Sequence, residues 1–307
     1  DAIVDSSSHV LIGTGAGGNA DIANDGQTAV GHVALHSLTD GQENVAIGYY
    51  ASNLLTTGGY NTSLGYNSLK SLVGGQFNTA IGRNALTALG NNETSNIGIG
   101  ANAMGACDEG NGSGNQIDQN IAIGVESLTG ADFGSTGGRV LTNNIAIGGD
   151  ALNSTGTNSQ TGTIAIGFGS LTALTSGTGN TAVGYLSADA VTTGNHNTAI
   201  GYEALSTATV TAGQDEHTAV GYQALKDCSG DRNTAIGTSA MSGVDNSDNC
   251  VAVGFEALKT SGTTADTIDG TVAVGYQSLT ALTSGAGNTA LGYQSADALT
   301  TSGYNTV

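Results

Sequence analysis

The chain has 307 residues, 50 of them glycine and none proline or tryptophan, and 6 basic against 25 acidic residues give it a formal net charge of −19. Lys70, Arg83, Arg139, Lys226, Arg232 and Lys259 are scattered along it, so no basic stripe can neutralise phosphates and nucleic acid is excluded as a partner. Three cysteines without a Cys-x-x-Cys exclude a disulfide scaffold or an ordinary zinc site, and no apolar run is long enough to span a bilayer as a helix.

At the N-terminus, residues 1–13 lack the basic and apolar regions of a signal peptide, and the missing initiator Met predicts a processed product or an excised segment. The run from Gly13 to Gly18 shares only its glycines with a phosphate loop, lacking the Lys and the following helix. Gly13 is instead the first of sixteen anchor glycines, ending at Gly292, each set in the motif Asn-Thr-Ala-Ile-Gly-Tyr-x-Ala-Leu or a variant of it. The basal period is 17, and length variation falls between motifs, never inside them. Self-similarity of this kind predicts an all-β fold, a single repetitive β-solenoid or β-roll domain over 1–307 with one coil per repeat.

Within a coil, Ile, Val or Leu precedes the glycine, Ala stands two before it in thirteen of sixteen coils, and Thr, Val or Ile stands three before. That alternation predicts a short β-strand. Four before is Asn in ten coils, among them Asn44, Asn61, Asn78, Asn180 and Asn197, a pattern that predicts an amide ladder holding the coils in register. The glycines, among them Gly48, Gly65, Gly82, Gly184 and Gly201, then supply the corner. An aromatic residue follows the glycine in nine coils, Ala or Ser always stands three after, and Leu or Met stands four after in twelve. With so few large apolar side chains per coil the rod is expected to be thin, and sixteen coils at a strand spacing of about 4.8 Å predict a length on the order of 75 Å. The Ala position admits two architectures. Either the Ala column, Ala46, Ala80, Ala199 and Ala235 among it, faces a buried interface of a parallel homotrimer, or it lines the tightly turned interior of a single narrow solenoid.

Farther along the chain, two consecutive coils carry the longest insertions, 105–119 and 131–142. If they leave the solenoid on one side they form a lateral knob whose candidate receptor contacts are Asp108, Glu109, Asp132, Phe133 and Arg139, with a tolerated surface insertion as the alternative. The segment 170–184 recurs with two changes at 278–292, which is growth by whole coils. Asp227, Asp231, Asp245 and Asp248 sit in loops whose spaced oxygens can bind Ca²⁺, although neither loop matches an EF-hand, and solvated turns are the alternative. Cys228 and Cys250 are expected on loops of successive coils, close enough to bridge, with Cys107 free or paired with another chain. His9 and His217 replace the ladder Asn, and the histidines show no metal-ligand spacing. The tyrosine column suits stabilising cross-strand pairs or a stacking surface for sugars. No Ser, His and acid set is placed for hydrolysis, so no enzyme and no cofactor is expected.

The motif, intact at Asn197–Leu205, resembles repeats in bacteriophage tail-fibre shafts. Val45–Gly48 and Val251–Gly254 are similar to head repeats of trimeric autotransporter adhesins, which form a left-handed parallel β-roll. The resemblance covers almost the whole chain. It implies an extracellular, structural and adhesive fibre shaft, on a virion or a cell surface, that projects a tip able to bind a surface glycan or protein. A self-polymerising filament or matrix subunit is the second reading. Two departures stand beside the resemblance: the adhesin repeat is shorter than 17, and no self-cleaving chaperone domain follows. The chain stops two residues short of the next expected glycine, so a further unit is expected after 307.

Overall fold

The computed structural model of the chain describes residues 2–4, 8–18, 26–108, 110, 114–130, 133–134, 137–206, 216–259 and 267–307. These contain short β-strands and turns and no helix. Contacts divide the chain into two units, 1–162 and 163–307, each a parallel β-solenoid.

In the first unit the strands are β1 (Ala2–Val4), β2 (Val10–Ile12), β3 (Thr28–Val30), β4 (Val45–Ile47), β5 (Thr62–Leu64) and β6 (Thr79–Ile81). They continue as β7 (Ile97–Ile99), β8 (Gln116–Asp118), β9 (Ile121–Ile123), β10 (Val140–Thr142), β11 (Ile145–Ile147) and β12 (Gln160–Thr161). The strands β2 to β7, then β9 and β11, form one parallel ladder in which each residue pairs with its repeat equivalent, as Val45 with Thr62 and Ile47 with Leu64. At its edge, β1 pairs antiparallel with β2.

The second unit holds β13 (Ile164–Ile166), β14 (Gly177–Thr178), β15 (Thr181–Val183), β16 (Thr198–Ile200), β17 (Thr218–Val220), β18 (Thr234–Ile236), β19 (Val251–Val253), β20 (Val272–Val274) and β21 (Thr289–Leu291). All but β14 form the same kind of ladder, with Thr198, Thr218 and Thr234 stacked in register.

The corner glycine makes this stacking close. Gly82 has φ +133°, and a Cβ there would lie 2.5 Å from the carbonyl oxygen of Gly100 in the next coil, so no other residue fits. The segment after it does not wind into a helix because its second and fourth residues are left-handed, as at Asn84 (φ 57°) and Leu86 (φ 51°). Both Ala85 and Leu86 are consequently buried.

The interior of each coil is filled by Ala of the strand, by this Ala–Leu pair, and by a third residue seven after the glycine: Leu38, Leu55, Leu72, Leu89, Leu174 and Leu282 are all fully buried. This corrects the expectation that the Ala column faces other chains. Ala46, Ala80, Ala199 and Ala235 are at most 1% exposed within the single chain, because the coil is too narrow for anything larger opposite Leu. The tightly turned interior is the arrangement observed, and the β-branched strand residues point outward.

Candidate functional site

The outward strand positions form a continuous face along each ladder. Three before the glycine stand Thr, Val or Ile and one before stand Ile, Val or Leu, with no charged residue at either position in any coil. Ile200 and Ile236 are about 40% exposed. With eight strands about 4.8 Å apart, the two columns and the position after the glycine, which is aromatic in nine coils and Arg83 in one, cover on the order of 600 Å² per unit. The face is mixed in character, with Thr at eight of the sixteen positions three before the glycine, and surface patches of a few hundred Å² are often functional.

The aromatic column borders this face. Phe168, Tyr185, Tyr202 and Tyr222 stack with centroid separations of 5.7, 5.2 and 5.3 Å, and Phe255, Tyr276 and Tyr293 do so at 5.3 and 5.2 Å. In the first unit His32, Tyr49 and Tyr66 form the equivalent stack. Interplanar angles of 7–16° in the second unit mean that ring faces cover one another and mainly edges meet solvent. Inside the stacks no face is open to a sugar ring, so the column serves cross-strand pairing.

The asparagine ladder forms as its spacing predicts. Asn61 donates its backbone N–H (3.0 Å) and its Nδ2 (3.2 Å) to Asn44 Oδ1, and Nδ2 also donates to the Gly75 carbonyl at 2.8 Å. Asn78 repeats the pattern on Asn61, and Asn197 on Asn180. His217 keeps the chain of bonds by accepting the Asn233 backbone N–H on Nδ1 at 3.2 Å while donating its own backbone N–H to Asn197 Oδ1.

The described parts of the insertions lie along the solenoid. They add a second parallel ladder, β8 with β10 and β10 with β12, whose inward residues Ile117 and Leu141 are fully buried. Phe133 is 2% exposed, so the expected cation and aromatic side by side on the surface are not there. Phe133 is part of the interior instead, and its backbone N–H donates to the Asp108 carbonyl at 2.9 Å. Asp108 Oδ1 accepts the Gly110 N–H at 2.8 Å, and Arg139 Nη1 donates to Asn158 Oδ1 at 3.1 Å. Glu109 and Asp132 lie outside the described residues. Beside these insertions a cavity of about 270 Å³ is lined by Asn84, Asn102, Gly105, Glu126 and Thr129 among others.

Of the aspartates read as calcium ligands, Asp248 Oδ1 accepts the Asp231 N–H at 2.8 Å, and Asp269 Oδ1 in turn accepts the Asp248 N–H at 2.9 Å. They act as rungs of a side-chain ladder. Asp227 and Asp245 do not join them in a ligand set, and among the described residues no group of three or more His, Cys, Asp or Glu is placed to hold a metal ion.

Cys228 and Cys250 are thiols, which corrects the expected bridge. Neither projects outward, since both side chains are buried in the coil. Cys228 occupies the inward column of Leu55 and Leu72, and Cys250 occupies the ladder position of Asn61, with its backbone N–H on Asn233 Oδ1 at 2.8 Å. Burial pushes the Cys228 thiol up to about 12 and that of Cys250 to about 11. Both are therefore chemically inert at neutral pH. Cys107 belongs to the same inward column as Cys228 and donates its thiol to the Leu128 carbonyl.

The charged clusters are local. Glu203 lies below the usual carboxylate range because Lys226 Nζ (2.8 Å) and Gln223 Nε2 (2.8 Å) both donate to Oε2, and Lys226 is raised in return. Glu256 is lowered likewise, with Lys259 Nζ donating to Oε1 and Gln277 Nε2 to Oε2. Asp189 is raised, chiefly by burial. No helix among the described residues is long and apolar enough to cross a membrane. Comparison of the chain with family models, with curated proteins and with solved structures returns no match.

Proposed function

We propose that the chain is a structural and adhesive shaft segment of an extracellular fibre, in which parallel copies associate as a homotrimer through the outward strand face and hold a binding tip away from a virion or cell surface. The observation that carries this reading is the uncharged face of the two outward strand columns, Thr, Val or Ile beside Ile, Val or Leu, continuous along each ladder of a chain with net charge −19. Its area approaches the ~800 Å² that one partner contributes to a stable interface. Cyclic association keeps all copies parallel and closes on itself, so it forms a shaft of defined thickness.

The self-polymerising filament is disfavoured by β1. By pairing antiparallel with β2 it occupies the strand edge that a parallel coil from another copy would need to extend the ladder end to end. Electron microscopy of the purified chain with a gold label on a single N-terminal tag tests the proposal. Rods of uniform length with all labels at one end are expected; filaments of indefinite length, or labels at both ends, would overturn it.

A further inference from the structure

We propose that the cavity at Gly59 binds one neutral pyranose ring of a surface glycan. Six residues before the corner glycine, three consecutive coils carry Gln42, Gly59 and Gln76. Because Gly59 has no side chain, a gap of about 180 Å³ opens between the two carboxamides, bordered also by Asp40, Thr57 and Tyr60. The backbone closes its floor, for a Cβ on Gly59 would lie 3.1 Å from the Gln42 carbonyl oxygen.

Two contacts prearrange the walls. Tyr60 stacks on Phe77 with centroids 5.0 Å apart and planes 6° from parallel, which holds the ring upright beside the gap. Its hydroxyl donates to Gln42 Oε1 at 3.1 Å, which ties down the acceptor of that amide and leaves the N–H₂ group as the one it presents.

The lining selects the ligand by chemistry. There is one carboxylate and no cation, so an anion is repelled, and a single carboxylate with neutral amides is a poor cage for a divalent ion. An apolar ligand would leave the polar rim unpaired. A pyranose instead offers hydroxyls that donate to Asp40 and both donate to and accept from the amides, and it offers a C–H edge for the Tyr60 ring. The site flanks the strand face and does not depend on the assembly proposed above.

Titration of the chain with glucose, galactose, mannose and N-acetylglucosamine tests this, read by saturation transfer and by shifts of the Tyr60 ring signals. For a ligand of about a dozen heavy atoms, saturable binding of at least one sugar with Kd on the order of 1 mM is expected. The double variant Gln42→Ala/Gln76→Ala, or Asp40→Asn with its unchanged shape, should weaken it at least tenfold while circular dichroism stays as in the parent. No saturable binding of any of the four sugars, or an unchanged Kd in both variants, would overturn the proposal.

Discussion

At the scale of single residues, the coil depends on positions that admit one side chain for a steric or a hydrogen-bonding reason. Gly82→Ala combines a φ of +133° with a Cβ only 2.5 Å from the Gly100 carbonyl oxygen, so a loss of more than about 2 kcal/mol is expected in chemical denaturation. His217→Asn should act in the opposite sense. It restores the ladder residue between Asn197 and Asn233, and a gain of about 0.5–1.5 kcal/mol is expected from the amide bonds that an imidazole cannot make. The buried thiols set an alkaline limit. Since Cys228 is raised from 9.0 to about 12, the folded chain retains a proton that the unfolded chain gives up, so stability is fully present below about pH 9 and falls as pH rises toward 12. Melting temperatures of the parent should drop over that range more steeply than those of Cys228→Leu, which places in the column the residue found at Leu55 and Leu72.

At the scale of strands and ladders, the period and the alternation make the strands, the corners and the amide ladder legible in the amino-acid sequence. Which face points inward is not legible there. Alternation distinguishes two faces without naming the inner one, and here the small residue is inside because the coil interior is only as wide as one Leu opposite one Ala. The inward column seven after the glycine escapes sequence reasoning because its occupants differ in kind, from Leu38 to Cys107, Val191 and Cys228. The second ladder escapes it for a similar reason: Gln116–Asp118 and Val140–Thr142 share no motif, and only their pairing reveals them. The burial of Phe133 in the insertion between these two strands gives a clear expectation for Phe133→Ala. A buried phenylalanine truncated in this way costs about 3–5 kcal/mol, so the variant should destabilise the first unit, read as lost hydrogen-exchange protection at Ile117 and Leu141. A surface contact residue would instead leave that protection unchanged.

For the whole molecule, charge and the uncharged face act against each other. Each copy carries −19, so bringing copies together is opposed by repulsion that salt screens, while burial of Thr, Val and Ile is not weakened by salt. Association should therefore strengthen between low and physiological ionic strength, and Ile200→Glu, which puts a carboxylate into the face, should weaken it while leaving the coil intact. The stacked tyrosines contribute to the same border without offering their faces to a ligand, so the sugar site proposed at Gly59 is separate from the aromatic column. The most direct measurement is the mass of the chain in solution by light scattering at physiological salt. Three times the 30.1 kDa of one chain is predicted, falling toward a single chain in Ile200→Glu; a mass of 30.1 kDa for the parent at every concentration and salt would contradict assembly through the strand face.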